Sequence, residues 1–326
     1  MSRQEKWTKG IEQYNHLTMQ KLKLTVIICT YNRERYIYNV LQSIAQNNFD
    51  KEDYEILVVN NNSSDNTAVE CQRFHHDYPD VVFRCIDESR QGLSYARNAG
   101  VTNARGDVVV FVDDDATVND KYLDTYNTFF VKRQDVMAAG GPIIPRYETE
   151  EPSWMSYYTR ALITGCIYYG KEERRFPRGK YPGGGNAAYR KEVFDTIGLF
   201  NPDLGRKGNS LIGAEEKDLF SRMDACGIKY YYLPTAVLYH IIPEGKLTDS
   251  HFNRLTLSIG KSERIRTLSV SKSAYVKRLL SEGVKWCASI VLWVAFLLRL
   301  QPQKGNKIVQ FRWNVSRGLL NIGEIS

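Results

Sequence analysis

The sequence predicts an α/β fold, with a doubly wound, mostly parallel sheet, helices on both faces of the sheet and a helical appendage at the C-terminus. Short apolar, β-branched runs recur at residues 24–29, 54–59, 81–86 and 108–112. Segments with apolar residues at helical spacing separate these runs. Because the runs are nearly continuous and do not alternate with polar residues, each strand should be buried on both faces. This is typical of a parallel sheet between two layers of helices.

The elements follow one another in a regular order as far as residue 140. The first strand gives way to a helix over about residues 36–44, and the second strand to a helix that ends near residue 76. A helix over about 94–104 connects the third strand to the fourth. The less regular remainder predicts an edge strand at 140–145, a mobile or helical insert at 146–182, a helix at 215–226 and a strand at 229–239.

The composition is that of an ordinary globular protein. Of the 326 residues, 43% are hydrophobic and 25% are charged, and the net charge is +7. A mild positive excess fits anionic small molecules, anionic lipid or nucleic acid. There is no long Lys/Arg run before the C-terminal third, so nucleic acid is the least favoured of these partners. The six cysteines show no CxxC spacing, which predicts reduced, buried thiols. The first 17 residues have no apolar stretch typical of a secretory signal, so we expect the active part to face the cytosol.

Polar clusters fall where the predicted strands end, at residues 30–33, 60–65 and 113–115. In a doubly wound sheet, ligands bind at the carboxyl ends of the strands, where the strand order reverses. The third cluster is Asp113-Asp114-Asp115, and three adjacent carboxylates repel one another unless a cation or solvent compensates. Oxygen ligands of this kind suit Mg²⁺ or Mn²⁺. The alternative is a solvated turn whose acids cap a helix.

Several blocks in a fixed order carry a resemblance to a known family. They are TVIICTYNR, EILVVNNNSSDNT, QGLSYARNAG, GDVVVFVDDDA, GGGNAAYRKEVFDTIGLF, GAEEKDLFSRM and VLYHIIP, within about residues 22–262. On these blocks the chain resembles the inverting family-two glycosyltransferases with the GT-A fold, which use a nucleotide-sugar donor. The expected division is an N-terminal extension at 1–21, nucleotide-sugar binding at 22–118 and an acceptor side at 119–245 within one catalytic domain, and a helical, membrane-associating region at 246–326.

The resemblance also assigns residues on the donor side. Asp113 and Asp115 occupy the DxD positions. Asp115 would hold Mn²⁺ or Mg²⁺ on the donor diphosphate, and Asp113 would lie close to the ribose or to the metal. The other nucleotide-sugar contacts that the resemblance implies are Asp114, Thr30, Tyr31, Arg33, Asp65 and Arg97.

Asn60 and Asn61 depart from the family pattern. The family commonly has Asp here, which accepts a hydrogen bond from the imide N–H of uracil. An Asn carbonyl can accept the same bond, so we expect a UDP sugar. The departure from Asp weakens the preference for UDP over GDP or dTDP. Simple turn chemistry is the alternative for these asparagines.

Glu215-Glu216 is the expected place of the catalytic base. Inversion needs one carboxylate to take the proton of the acceptor hydroxyl as its oxygen attacks the anomeric carbon. The family usually has Glu-Asp here, so Glu216 aligns with the usual base, and Glu215 is the alternative. Acids also favour the first turn of a helix, where they meet its dipole, and this explanation stays open.

Two further features depend on their position for their interpretation. His240 ends a predicted strand, where a histidine is often only a polar cap. The family frequently has a metal- or phosphate-contacting His at this place, so His240 is an expected metal ligand. The loop that contains Gly184, Gly185 and Asn186 either wraps the acceptor or the donor sugar, or makes a tight turn into a helix at Lys191.

Residues 286–298 form an uncharged apolar run of 13 residues. As a helix the run is about 20 Å long, whereas the hydrocarbon core of a bilayer is about 30 Å thick and takes roughly 20 residues to cross. Basic and Trp residues around it favour a helix that lies in the cytoplasmic leaflet, and a buried core or dimer helix is the alternative. These residues are Lys277, Arg278, Lys285, Arg299, Lys304, Lys307, Arg312, Arg317, Trp286, Trp293 and Trp313.

The sequence therefore predicts a metal-dependent inverting glycosyltransferase, peripheral on the inner face of the cell membrane. The family implies a glycan or lipid-linked acceptor in cell-envelope polysaccharide synthesis. Two alternatives stay open. A sugar nucleotidyltransferase would usually carry a Gly-rich, basic first loop, and the loop here is TYNR. A non-catalytic nucleotide-sugar-binding or assembly subunit would not need the DxD and Glu-Glu positions, and both are intact.

Overall fold

The computed structural model of the chain describes residues 23–208 and 210–322. The expected N-terminal extension at 1–21 lies outside these residues. The stretch on which the expectation about a secretory signal rests lies outside them as well. One half of the main sheet is parallel, with the strand order β3-β2-β1-β4 that is typical of a doubly wound fold. Its strands are β1 (Leu24–Thr30), β2 (Tyr54–Asn60), β3 (Phe83–Asp87) and β4 (Val108–Val112). The predicted α/β class and the mostly parallel sheet are confirmed.

The later strands build the rest of the main sheet and a second, smaller sheet. They are β5 (Ala116–Val118), β6 (Ala138–Gly140), β7 (Ile143–Tyr147), β8 (Arg174–Arg175), β9 (Asn186–Arg190), β10 (Tyr230–Tyr232) and β11 (Leu238–Ile242). The main sheet continues from β4 in the order β9-β6-β10-β8, and β9 runs antiparallel to both of its neighbours. The small sheet has the order β5-β11-β7.

The structure corrects three predictions for the irregular region. The edge strand expected at 140–145 is two strands in different sheets, because Pro142 lies between them and has no N–H for a ladder. The strand expected at 229–239 is also two strands, with Pro234 between them. The glycine-rich loop leads into the strand β9 and not directly into a helix.

Helices cover both faces of the main sheet, and the alternating side chains of β1 fix which helix meets which face. Val26 and Ile28 pack with α1, α2 and α4, whereas Ile27 packs with α3, α6 and α7, and all three side chains are fully buried. The helices are α1 (Ile37–Ala45), α2 (Thr67–Asp77), α3 (Leu93–Asn103), α4 (Tyr122–Lys132), α5 (Tyr157–Thr164), α6 (Val193–Ile197) and α7 (Glu215–Ala225).

The helical appendage consists of α8 (Asp249–Val270), α9 (Lys272–Leu298) and α10 (Pro302–Leu320). Helix α10 packs along both α8 and α9. The apolar run at 286–298 is only the last part of α9, which has 27 residues. Among the described residues, α9 is long and apolar enough to cross a membrane, and its most apolar stretch is only 17% buried. This exposure does not fit the alternative of a core helix.

The inner side of α9 differs from the prediction of a basic and Trp-rich membrane face. The indole N–H groups of Trp286 and Trp293 donate to Ser316 and Asn306 on α10, each at 2.9 Å. Arg278 and Arg312 also turn inward, and both pair with Glu282. The spacing of Arg278 and Glu282, four residues apart, was a signal for such a pair.

Asn186 joins four parts of the fold at the start of β9, where it is fully buried. Its carbonyl oxygen accepts hydrogen bonds from the hydroxyls of Tyr122 and Tyr126 at 2.8 and 2.6 Å. Its amide N–H groups donate to the backbone carbonyls of Pro142 and Ala236 at 2.9 and 3.0 Å. Since every polar atom of this amide has a partner in the core, Asn186 fixes where the preceding glycine loop lies.

Replacing Asn186→Ala should lower the free energy of unfolding by about 3 kcal/mol, because several buried polar groups lose their partner at once. Urea denaturation measures the difference. The control is Asn103→Ala at the exposed end of α3, which should change stability by no more than about 0.5 kcal/mol. Equal effects of the two substitutions would contradict this account of Asn186.

Candidate active site

A cavity of about 990 Å³ opens at the carboxyl ends of β1, β2 and β4. This is the edge of the sheet where the sequence places the polar clusters. Its lining on this side includes Thr30, Tyr31, Arg33, Asn61, Arg97, Asp113, Asp114, Asp115, Gly184, Glu215, Glu216 and His240. Most of the residues that the sequence singles out therefore meet in one cavity.

Asp115 is the most strongly compensated of the three adjacent carboxylates, and only 6% of the residue is exposed. Lys246 Nζ lies 2.8 Å from its Oδ2, and His240 Nε2 lies 3.2 Å from its Oδ1. Arg33 adds a third contact at 3.9 Å. Burial alone would raise the pKa of Asp115, but Lys246 and His240 together hold that pKa well below its ordinary value. The carboxylate is therefore charged.

The strand register explains why His240 meets Asp115. β11 pairs antiparallel with β5, and His240 stands opposite Ala116, the residue that follows Asp115. His240 Nδ1 lies 2.7 Å from the carbonyl oxygen of Thr164, so Nδ1–H donates there and the lone pair of Nε2 is left for a cation. Lys246 Nζ is 3.1 Å from that Nε2. The ammonium group thus lies between Asp115 and His240, in contact with both.

Asp115 and His240 are a fitting pair of ligands for a hard divalent cation, because a carboxylate oxygen and an oriented imidazole nitrogen already converge on the Lys246 ammonium. Within residues 23–208 and 210–322, no group of three or more His, Cys, Asp or Glu side chains is placed to hold a metal. Asp113 therefore does not complete a protein-only site with this pair. Mg²⁺-type ions usually take the remaining ligands from substrate phosphates and water.

Asp114 is held by a different cation. Arg33 Nε donates to its Oδ1 at 3.2 Å. Burial raises the pKa of Asp114 to about 6, against the lowering effect of Arg33. A metal ion that entered the cavity together with a bound phosphate would lower this pKa and favour the charged carboxylate.

The glycine loop approaches the acids so closely that a side chain on the loop would have to displace them. A Cβ placed on Gly185 would lie 2.1 Å from Asp113 Oδ2, and one on Gly184 would lie 1.8 Å from Glu216 Oε1. The pairing of Val112 with Asn186 in adjacent strands brings the loop to this place. Glycine therefore leaves these acids in place. Asn186, although expected in the acceptor or sugar loop, points its side chain into the core.

Arg97 and the two glutamates form a second charged group in the same cavity. Arg97 is 3% exposed, and it donates to Glu215 at 2.8 Å and to Glu216 at 3.0 Å. Burial and then the neighbouring Glu216 raise the pKa of Glu215 to about 7, against the opposing effect of Arg97. Glu215 is itself 3% exposed, whereas the Glu216 side chain is 23% exposed. Glu216 is thus the more accessible carboxylate to a ligand.

Two residues expected to contact the nucleotide make hydrogen bonds within the loops. Asp65 accepts hydrogen bonds from the backbone N–H groups of Glu34 and Thr67, which tie the loops after β1 and β2 together. Asn60 donates to Asp87 and accepts from the N–H of Ser63. Neither Asp65 nor Asn60 lines the cavity.

Asn61 does line the cavity, but its amide group is engaged. Its carbonyl oxygen accepts from the N–H of Gly92 at 2.7 Å, and its NH₂ donates to the carbonyls of Glu88 and Arg90 at 2.8 Å each. This is turn chemistry of the kind the sequence left open for the asparagines.

Sequence reasoning missed Lys246, which follows β11 in a short 3-10 turn at Glu244–Leu247. It also missed that Lys217 and the C-terminal helices continue the cavity wall. The six-residue distance from His240 to Lys246 spans a strand end and a turn, so no helical or strand period connects the two. A cation close in sequence to an expected metal ligand was the only available signal.

Known proteins resemble the chain in sequence. The model of the family described as glycosyl transferase family 2 matches residues 25–198. A relative from Haloferax volcanii, named glucosyl-dolichyl phosphate glucuronosyltransferase, is 29% identical over 268 residues, which are 79% of this chain and 83% of that protein. Glycosyltransferase GlyA of Streptococcus pneumoniae is 34% identical over 149 residues, 46% of this chain and 20% of that protein.

Solved structures share the fold. A mannosyltransferase from Pyrobaculum calidifontis, in complex with GDP-Man and Mn²⁺, superposes with a TM-score of 0.62 at 17% identity. The match covers 93% of this chain and 88% of that chain. At this level of identity the likeness concerns the fold, including the GT-A-like sheet.

Proposed function

This chain belongs to glycosyl transferase family 2 and is a glycosyltransferase, and we propose that it moves a sugar from a nucleoside-diphosphate sugar to an acceptor hydroxyl with inversion and with the help of a divalent cation. The observation that carries the proposal is the convergence of two charged groups on one cavity. Asp115 with His240 would serve the donor, and Glu216 with Arg97 would serve the acceptor.

Mn²⁺ or Mg²⁺ would be held by Asp115 and His240, and it would neutralise the nucleoside diphosphate as that group departs. The position of the Lys246 ammonium between these two side chains supports the choice. The mannosyltransferase that shares the fold is in complex with Mn²⁺. Arg33, beside Asp114 at the same edge, is suitably placed to meet donor phosphates. We propose UDP as the nucleotide on the family resemblance alone, because the amide groups of Asn60 and Asn61 are engaged within the loops.

Glu216 is proposed as the base. Its carboxylate would take the proton of the acceptor hydroxyl while the acceptor oxygen bonds to the anomeric carbon and the bond from that carbon to the diphosphate breaks. Arg97 would keep Glu216 oriented and charged. Glu215, buried and with a raised pKa, would position Arg97. The acceptor would be a glycan or a lipid-linked sugar, in keeping with the dolichyl phosphate in the name of the Haloferax volcanii relative.

Nucleotide release from a panel of UDP-, GDP- and dTDP-sugars with Mn²⁺ and a mixture of acceptors tests this function. One donor should turn over, and Glu216→Gln should lower the rate by about 10²–10⁴-fold, because the proton acceptor is lost. The control is Asp218→Asn on the same helix, whose carboxylate pairs with Arg222 outside the cavity and should have little effect.

A rate for Glu216→Gln equal to that of the wild type would refute the base assignment, and Glu215→Gln would then be compared. No release from any donor, together with nucleotide binding, would favour the non-catalytic alternative. Pyrophosphate release from a nucleoside triphosphate would favour the nucleotidyltransferase.

We also propose that the protein lies on the cytoplasmic face of a membrane through the outer face of α9. This face is an exposed apolar stripe at helical spacing, and its main members are Val276, Leu280, Val284, Val291 and Leu298. Because the opposite side of α9 carries inward-facing charges against α8 and α10, the helix would lie along the membrane surface and not cross it. Exposed Lys272, Lys277 and Arg299 would favour anionic lipid.

Flotation with vesicles of phosphatidylcholine and phosphatidylglycerol measures this attachment. The double substitution Leu280→Glu and Val284→Glu should reduce bound protein by about tenfold, since it places charge on the face of α9 that would enter the membrane. Val131→Glu, at a valine of α4 that is 63% exposed, is the control and should bind like the wild type. No vesicle binding by the wild type, with a dimer that the double substitution dissociates, would instead make this face a protein interface.

A further inference from the structure

The active-site cavity continues beyond Glu216 into the helical appendage. Here its wall is formed by α8, α9 and α10 with the start of α7. Part of this wall is apolar, with Leu255, Ile259, Phe311 and Val315. The rest of this wall carries cationic side chains. They are not the cations that contact the carboxylates after β4.

The cations of this region belong to one group, which we call the C-terminal cationic cluster. It comprises Lys217, Arg266, Arg278, Lys285 and Arg312. Two buried carboxylates hold four of these cations. Glu263 contacts Lys217, Arg266 and Arg278 at 2.6, 3.2 and 3.0 Å. Glu282 contacts Arg278 and Arg312 at 2.7 and 2.8 Å.

The charges of the cluster do not balance. Five cations face two carboxylates, which leaves an excess of three positive charges. The side chains of Arg278 and Arg312 are only 11% and 12% exposed, so solvent compensates these two charges poorly, whereas Lys217 is 37% exposed and Lys285 is exposed. A cluster of this kind is stabilised by a bound anion.

Two hydrogen-bonding groups in the cluster have no partner in the described part of the chain. Arg312 Nε is buried and makes no hydrogen bond. No described carboxylate forms an ion pair with Lys285, although this residue lines the cavity. Burial and then Arg278 lower the pKa of Lys285, which agrees with a cation placed among cations. Lys285 Nζ is therefore free to receive an anion that enters the cavity. Arg312 Nε has no surface open to the cavity, and it leaves the cluster with a buried donor that no acceptor compensates.

We propose that the C-terminal cationic cluster binds the phosphate of a lipid phosphate that carries the acceptor sugar. The inference rests on the proposed function, and it names the acceptor class of the same site. A phosphate offers the several oxygen acceptors that guanidinium and ammonium donors recognise. The cavity joins the cluster to Glu216, so a sugar linked to the bound phosphate could extend toward the base.

The lipid part of the proposal follows from where the cluster lies. Lys285 stands on α9 next to Val284, a member of the exposed apolar face of that helix. The apolar wall formed by Phe311 and Val315 adjoins the cationic one. A phosphate at the junction of a polar cavity and an apolar helix surface is the position of a headgroup phosphate whose chain stays in apolar surroundings. A free phosphate would use the cluster but not the apolar wall.

Binding of farnesyl phosphate to the full chain, measured by isothermal titration calorimetry below its micelle concentration, tests the proposal. Lys285→Gln should weaken binding about tenfold, since one charge-assisted contact is lost. Lys132→Gln, at an exposed lysine at the end of α4 and outside the cavity, should bind like the wild type. Arg33→Gln at the donor side should also bind like the wild type, and farnesol should not bind.

Equal binding by wild type and Lys285→Gln would overturn the proposal, and so would loss of binding in Arg33→Gln, which would place the phosphate at the donor side. Inorganic phosphate that binds as tightly as farnesyl phosphate would refute the lipid part. The calorimetry measures binding, whereas the nucleotide-release assay measures the proposed function. A failure of the lipid-phosphate proposal can therefore be told from a failure of the proposed function.

Discussion

The site depends on one electrostatic constraint, which is that three adjacent carboxylates end a fully buried strand. Such a row is stable only if cations reach it, and each cation comes from a distant part of the chain. Arg33 follows β1 and meets Asp114, while Lys246 follows β11 and meets Asp115. The order of strands in the two sheets places both cations at the same edge. Burial without these partners would force the carboxyl groups to take up protons.

A second charge group, built on Arg97, mirrors the first. Its two glutamates begin α7. The glycine loop before β9 lies between them and the carboxylates that follow β4, and a side chain on this loop would displace both groups of acids. Asn186 holds that loop from within the core. The two charged groups are thus coupled by one strand, because a shift of β9 would move Gly184 against Glu216 and Gly185 against Asp113 at the same time. The C-terminal helices then extend the same cavity toward an apolar surface.

Much of this could be predicted from the sequence, because continuous apolar runs and helical spacing define a parallel sheet and its edge. Local patterns also found the acids at 113–115 and 215–216, as each lies directly at the end of an element. They could not find the partner of each acid. Lys246 is brought to Asp115 by pairing between β11 and β5, and Arg278 is turned inward by packing of α9 on α8. The function of Asn186 was likewise hidden, since its four partners are 44 to 64 residues away.

The most direct test of the central claim is a titration of Mn²⁺, followed by electron paramagnetic resonance, on the wild type and on Lys246→Met. If Asp115 and His240 hold the cation where the ammonium lies, Lys246→Met should bind Mn²⁺ about tenfold more tightly, because a competing positive charge is removed. Asp115→Asn should lose the binding. Unchanged or weaker binding by Lys246→Met, or normal binding by Asp115→Asn, would contradict the account.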